Sequence, residues 1–157
     1  MIKINLLAVG KIKEKYFLDG VNEYAKRLSK FCEFKIIEIG EENYNKVDDA
    51  LIDVIKEKEG DKILAKMTGY SIAMAIEGKK VSSKSFAQKI KNLVDGGNGV
   101  ITFIIGGSYG LSDRVKEKAN ELMSFSDATF PHTLFRVMLC EQIYRAFSIN
   151  INSPYHK

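Results

Sequence analysis

A chain of 157 residues is about the size of one domain and is long enough to bury a substantial core. Its composition is 45% hydrophobic and 28% charged without a low-complexity tract, which excludes a disordered or fibrous chain. The net charge of +4 is compatible with an acidic partner such as nucleic acid, but it does not indicate one by itself.

The first half of the chain alternates strand and helix patterns. Residues 2–9 predict a strand that ends at Gly10, and residues 34–39 predict a second strand that ends at Gly40. Between them, one face of an amphipathic helix carries Phe17, Val21, Tyr24, Ala25 and Leu28. A long helix follows the second strand, and its apolar stripe consists of Val47, Ala50, Leu51, Val54 and Ile55, resuming at Ile63 and Leu64 after a charged run.

The next segment predicts a third strand and a capped helix. Residues 71–76 form the strand pattern, which Gly78 ends. Ser85 and Gln88 have the spacing of a capping box, and Gly96 or Gly97 is the predicted stop of that helix.

The pattern that organises the chain is an apolar run that breaks into glycines. Residues 101–105 show no polar alternation, which is typical of a strand buried on both faces of a parallel sheet. Gly106, Gly107 and Gly110 follow, and Ser112 is the predicted N-cap of the next helix. That helix is expected to carry Val115, Ala119, Leu122 and Met123 on its buried face.

A short extended piece around residues 128–130 and a last helix from Pro131 to about Ile149 complete the chain. Strands alternate with helices throughout, so we expect a single α/β domain over residues 1–157, with a mostly parallel sheet flanked by helices. In such a sheet, ligands bind at the carboxyl ends of the strands, where the glycine turn lies.

Metal and membrane sites are not expected. Cys32 and Cys140 stand alone without C-x-x-C spacing, and the chain has only two histidines. No window approaches the roughly 18–20 apolar residues of a membrane span, and the N-terminus begins with a strand pattern instead of a signal peptide. We therefore expect a cytoplasmic protein with reduced thiols.

Three glycine motifs compete for the turn at residues 106–110. The dinucleotide fingerprint fails because Ile105 stands where a glycine is required, and a P-loop fails because no lysine lies between Gly106 and Asp113. The stretch does match G-x-S-x-G, the elbow of a serine hydrolase with Ser108 as nucleophile, and Asp127 and His132 follow in the hydrolase order. A glycine turn without chemistry is the third interpretation.

The last helix has almost no polar face, which predicts burial in the core or against another subunit. Glu141 and Arg145 are four residues apart and are expected to pair along the helix. Two interpretations remain open: a structural ion pair, or an arginine at Arg136 or Arg145 that faces a cleft and meets phosphate or a developing negative charge.

Several stretches resemble the RlmH family of the SPOUT superfamily. They are residues 6–11, the glycine turn 105–111, residues 124–132, Arg136, residues 141–147 and the terminal 154–157. The resemblance runs from end to end. It implies an S-adenosylmethionine-dependent methyltransferase that modifies N3 of a pseudouridine in 23S ribosomal RNA on the assembled 70S ribosome. It also implies a homodimer and a C-terminal trefoil knot.

Carried over residue by residue, the resemblance implies a cofactor pocket at three strand ends. Its residues are Met74, Gly106 and the loop of Phe125, Ser126, Asp127, Ala128, Thr129 and Phe130. One departure is visible: many family members have an acidic residue where this chain has Ala75, and Glu77 is the nearest carboxylate.

Few catalytic groups are needed for transfer of a methyl group, because alignment of donor and acceptor is the main requirement. The candidates to orient the base or accept its proton are His132, Tyr155 and His156. Arg136 is the further catalytic candidate, as a residue that meets phosphate or a developing negative charge. Exposed lysines near strand ends, Lys11, Lys13, Lys15, Lys79 and Lys80, are candidates to meet RNA phosphates. A serine hydrolase and a non-catalytic ribosome-binding module remain the alternative functions.

Overall fold

The computed structural model describes residues 1–157 as an alternation of five strands and five helices. The five strands form one sheet in the order β2-β1-β4-β3-β5, and every pairing is parallel. This confirms the predicted α/β architecture. In chain order the elements are β1 Lys3–Val9, α1 Lys15–Leu28, β2 Glu33–Ile39, α2 Asp49–Lys66, β3 Tyr70–Lys80, α3 Ser83–Asp95, β4 Val100–Ile105, α4 Asp113–Lys118, β5 Glu121–Ser124 and α5 His132–Asn150.

The sheet is covered on both faces, as the uninterrupted apolar run of β4 predicts. Ile101, Phe103 and Ile105 point into the larger core, which α1, α3 and α5 complete. Ile104 points into the smaller core, which α2 and α4 complete. Because both faces are buried, β4 contains no exposed position between Ile101 and Ile105.

The buried side of α2 differs from the predicted stripe. Val47 precedes the helix and Val54 is exposed, whereas Glu59 and Gly60 in the charged run are buried. This part of α2 is buried because it packs against the start of α4. Gly60 lies so close to Ser112 that an added Cβ would stand 2.6 Å from the Ser112 hydroxyl. A charged run therefore contributes part of the contact between α2 and the glycine turn.

The third strand continues through Gly78, which corrects the prediction that Gly78 ends it. Met123 of β5 is the register partner of both Met74 and Lys79, so residues 75–78 bulge out of the ladder. Gly78 is needed for close approach: an added Cβ would lie 2.5 Å from the Met123 nitrogen.

The caps and ends of α3 and α4 also differ from expectation. The capping box of α3 is Ser82 with Ser85, while Gln88 bonds to Asn92 within the helix. Ser112 does cap α4 as predicted, but this helix ends at Lys118.

The residues after α4 form a strand, not the predicted continuation of the helix. The Asn120 side-chain oxygen accepts a hydrogen bond from the Ser71 nitrogen, and the Asn120 nitrogen donates to the Ser71 carbonyl. These two bonds place the following residues beside β3, where they pair with it as β5. Leu122 and Met123 therefore belong to β5, and residues 128–130 form a loop instead of an extended segment.

The last helix matches its predicted bounds within one residue, and its Glu141 and Arg145 pair as expected, with Nη2 and Oε1 2.6 Å apart. Within one chain its burial is incomplete, and burial against another subunit stays a prediction. One side packs into the larger core, while Leu134 and Met138, which lie outside that core, are only half-buried. Burial in the core of a single chain thus accounts for only one side of α5. No helix of the structure is both long and apolar enough to cross a membrane.

Replacing Gly78 by alanine should destabilise the protein by roughly 1–3 kcal/mol, because the new methyl group would clash with the backbone of β5. Gly99→Ala is the matched control, since an added Cβ there meets nothing within 4 Å. Urea unfolding of both variants measures the difference. Equal stabilities would show that the approach of β3 to β5 is not tight.

Candidate active site

A cleft of about 620 Å³ lies at the carboxyl ends of β3, β4 and β5. This volume is within the range of small-molecule sites. Met74, Gly106 and His132 line it. So do five of the six predicted loop residues, which are Phe125, Ser126, Ala128, Thr129 and Phe130. The structure therefore brings together the three chain segments that the sequence places at strand ends.

Asp127 is the one predicted loop residue that does not line the cleft. Its carboxylate points outward and pairs with the Lys80 ammonium at 2.5 Å, and both side chains are exposed. The ion pair connects the loop to the end of β3. At an exposed position such a pair contributes little to stability.

The glycine turn forms the floor of the cleft. Gly106 and Gly107 are buried, and the Gly110 nitrogen donates to the Gly107 carbonyl over 3.1 Å. An added Cβ at Gly106 would stand 2.7 Å from the Gly110 carbonyl carbon, and Gly110 itself has a φ of +84°. Only glycines fit so tight a turn without strain, and the turn leaves Ser108 and Tyr109 exposed at its tip.

The loop 125–130 is shaped by its own hydroxyl groups. The Ser124 hydroxyl donates to the Ser126 carbonyl at 2.8 Å, and the Ser126 hydroxyl accepts from the Ala128 nitrogen at 3.0 Å. The backbone N–H groups of Thr129 and Phe130 donate to no protein acceptor. The loop that lines the cleft thus contains backbone donors without a protein acceptor.

Aromatic packing fixes one wall of the cleft. Phe125 lies against Phe86 of α3 with ring centroids 5.4 Å apart, and against Phe135 of α5 at 5.6 Å. These rings join the loop to the larger core, where Phe86 is fully buried. The wall is therefore apolar and rigidly supported.

The cleft contains one carboxylate and one ammonium group, Glu77 and Lys116, whose Oε1 and Nζ atoms are 2.6 Å apart. Lys116 lowers the pKa of Glu77 by hydrogen bonding, with a smaller contribution from its charge. The sequence analysis did not select Lys116. The available signal was its place in the short helix that follows the glycine turn and is capped by Ser112, which puts it close to the carboxyl end of β4.

His132 is half-buried at the start of α5, on the rim of the cleft. Burial lowers the pKa of His132, and the positive charge of Arg136 lowers it further, while Glu41 and Glu14 act in the opposite direction. The imidazole is therefore neutral near pH 7. A neutral imidazole can accept a proton.

Arg136, predicted as a catalytic candidate, does not line the cleft. Its side chain is 2% exposed and lies at the ends of β1 and β2. It donates to the Glu38 carboxylate at 2.8 Å and to the Gly10 carbonyl at 3.0 Å. These bonds attach α5 to the ends of β1 and β2. They also fix the position of His132, which lies one helical turn before Arg136.

The terminal candidates fold back on α5. The Tyr155 hydroxyl donates to Glu141 at 3.2 Å, and its ring packs edge-on against Tyr144 at 4.8 Å. His156 Nδ1 lies 3.2 Å from an Arg145 nitrogen. Neither Tyr155 nor His156 lines the cleft of this chain, so the structure does not bring them together with His132.

The geometry of a serine hydrolase is not assembled. Ser108 is exposed at the tip of the turn, five residues before α4 begins, instead of at the strand-to-helix junction. No hydrogen bond joins Ser108 to His132, and Asp127 pairs with Lys80 instead of orienting the histidine. The nucleophile, base and orienting acid are thus not connected.

Comparison with solved structures identifies the class of fold. A methylase family protein from Haemophilus influenzae superposes with a TM-score of 0.54 at 13% identity, over 99% of this chain and 70% of that one. A protein from Legionella pneumophila described as a "putative methyltransferase", solved with the bound cofactor SAM, gives a TM-score of 0.53 at 13% identity, over 93% of this chain and 66% of that one. The chain has the fold of these methyltransferases.

Sequence comparison identifies the family. The model of the family described as "Predicted SPOUT methyltransferase" matches residues 2–156. The chain therefore belongs to the SPOUT methyltransferases and is an enzyme of that family. It is 50% identical to the ribosomal RNA large subunit methyltransferase H of Latilactobacillus sakei, over 99% of this chain and 100% of that protein.

Replacing Arg136 by methionine should cost about 3 kcal/mol of stability, because it removes a buried guanidinium and leaves the Gly10 carbonyl without its donor. Arg114→Met is the control: Arg114 pairs with Glu57 and Asp61 at the surface, so its loss should change stability much less. Urea unfolding compares the two. A similar change in both would contradict a structural role for Arg136.

His132→Gln should flatten the pH dependence of stability. The folded chain holds the pKa of His132 below its ordinary value of about 6.5, so the unfolded chain binds the proton more tightly. The contribution of His132 to stability is complete above about pH 6.5 and is lost as pH falls through the folded-state pKa. We expect the free energy of unfolding, measured with urea between about pH 8 and pH 5, to decrease more steeply with falling pH for the wild type than for the variant. Parallel curves for the two proteins would contradict this.

Proposed function

We propose that this enzyme methylates large-subunit ribosomal RNA with S-adenosylmethionine as donor, and that its target is N3 of a pseudouridine in 23S rRNA within the assembled 70S ribosome. The observation that carries the proposal is the cleft at the ends of β3, β4 and β5. It occurs in a chain that matches relatives named as rRNA methyltransferases over their whole length. A single domain over residues 1–157 holds this cleft.

The cleft suits the cofactor in volume and chemistry. Met74, Gly106 and the loop 125–130 would hold it, since they offer an apolar wall, a close backbone surface and the free N–H groups of Thr129 and Phe130. When bound, S-adenosylmethionine supplies an electrophilic methyl group. A solved neighbour with the same fold contains SAM, which supports this assignment.

His132 is the residue best placed to act on the base. Methylation of N3 replaces the N3 proton, which must move to an acceptor. His132 lies on the rim of the cleft, and its lowered pKa keeps it neutral and able to accept that proton. We propose that His132 accepts the proton while the cleft walls exclude water from the reacting atoms.

We propose that the two candidates in the C-terminal tail act at a site completed by a second subunit. Tyr155 and His156 lie in the tail that folds back against α5, away from the cleft of their own chain, and the outer apolar side of α5 is only half-buried. We propose a homodimer in which this side of α5 is covered and the tail residues act at a site that includes the partner. A C-terminal trefoil knot remains part of the same family-based proposal.

Basic side chains near the strand ends supply contacts to RNA phosphates. Lys11, Lys13, Lys15 and Lys79 are exposed and make no ion pair across elements. Lys80 pairs with Asp127 on the loop that borders the cleft. Phosphate contacts of this kind position RNA without reading its sequence, so selection of one nucleotide falls to the docking surface of the ribosome.

The decisive experiment is transfer of labelled methyl groups from S-adenosylmethionine to ribosomes that lack the modification, followed by mapping of the label. We expect label on one pseudouridine of 23S rRNA, with the methyl group on N3. Ribosomes that already carry the modification are the control and should take up none.

Each alternative predicts a different outcome of that experiment. A ribosome-binding module would bind the particles and transfer no label. A serine hydrolase would react with a fluorophosphonate at Ser108 and also transfer no label. Label on a transfer RNA or on a protein would overturn the proposed substrate while leaving the use of S-adenosylmethionine intact.

A further inference from the structure

The cleft has two chemically different ends on opposite sides of the sheet edge. Phe125 and Phe135 belong to the layer of α1, α3 and α5, where they pack against the larger core. Lys116 lies on α4, next to Val115 of the smaller core. Glu77 reaches Lys116 from the bulge of β3. The aromatic end and the charged end are therefore separated by the ends of the strands.

The charged end holds the only acidic and the only permanently basic side chains in the lining. His132 is the one other titratable group in the lining, and it is neutral near pH 7 because burial and the nearby Arg136 lower its pKa. Every other polar contact in the cleft comes from backbone groups or hydroxyls. A ligand that carries both a positive and a negative charge has one place in this cleft where both are met.

The pair keeps free bonding capacity. A lysine ammonium has three N–H donors and a carboxylate has two oxygens, and the Glu77–Lys116 contact uses Nζ and Oε1 only. The Glu77 side chain is 54% exposed and the Lys116 side chain 23%, so both remain accessible from the cleft. Each partner is held in place by the other before any ligand arrives, which lowers the entropic cost of binding.

We propose that Glu77 and Lys116 bind the amino acid head group of the methyl donor, with the α-ammonium on the Glu77 carboxylate and the α-carboxylate on the Lys116 ammonium. The inference rests on the proposed function and adds the orientation of the donor: its nucleoside lies toward the loop 125–130 and its amino acid toward α4.

A purely structural pair would behave differently. If the contact only tied the β3 bulge to α4, its loss would loosen the whole cleft and weaken every ligand alike. If it binds the head group, its loss weakens only ligands that carry one. S-adenosylhomocysteine has the amino acid, whereas 5′-methylthioadenosine has the same nucleoside and thioether without it.

The test is calorimetric titration of both compounds into the wild type, Lys116→Met and Glu77→Gln. We expect each variant to lose roughly 10- to 100-fold in affinity for S-adenosylhomocysteine, the range for a charge-assisted hydrogen bond, and to bind 5′-methylthioadenosine within about twofold of wild type. Lys118→Met, at an exposed position of the same helix, is the matched control and should leave both affinities unchanged.

The outcomes separate this inference from the function on which it rests. Equal losses for both compounds, or no loss for either, would overturn the assignment of the head group while leaving the cofactor in place. A wild type that binds neither compound would remove the proposed cofactor, and this inference with it. Recovery of S-adenosylhomocysteine binding in Lys116→Arg would support the role of the positive charge.

Discussion

The backbone pairing of β3 with β5 is the constraint on which the cleft depends. Met123 is the partner of both Met74 and Lys79, so residues 75–78 leave the ladder and rejoin it beside the same residue of β5. That departure carries Ala75, Ile76 and Glu77 over the end of the sheet, where all three line the cleft. The approach is possible because Gly78 has no side chain. The cleft, its charged end and the loop 125–130 all lie along this one irregular edge of the sheet.

Local signals were sufficient for the centre of the molecule. The apolar run 101–105, the glycines after it and the cap at Ser112 are each determined by neighbours in sequence, and each was predicted correctly. That Met74 and Gly106 lie close together also followed from sequence, because carboxyl ends of parallel strands share one edge. The loop 125–130 was placed beside them by the family resemblance, since β5 was not predicted. Their roles in binding remain predictions.

The features that sequence reasoning missed depend on partners far along the chain. For Arg136 the sequence left a structural ion pair and a position facing a cleft open; its guanidinium meets Glu38, 98 residues earlier, and the carbonyl of Gly10. Glu59 lies in a charged run but is buried, because the β2–α2 connection supplies the Glu42 nitrogen as a donor at 3.1 Å. β3 continues past Gly78 because Lys79 and Lys80 pair with β5. No local pattern encodes such contacts, since they are made by tertiary structure alone.

The strand order has a consequence for biosynthesis. β4 stands between β1 and β3, so these two strands have no common neighbour until Val100–Ile105 has been made. A nascent chain that has emerged only as far as α3 therefore carries three apolar strands which cannot yet join into one sheet. Pairing across so long a stretch of chain is slow, and incompletely paired strands are prone to aggregate.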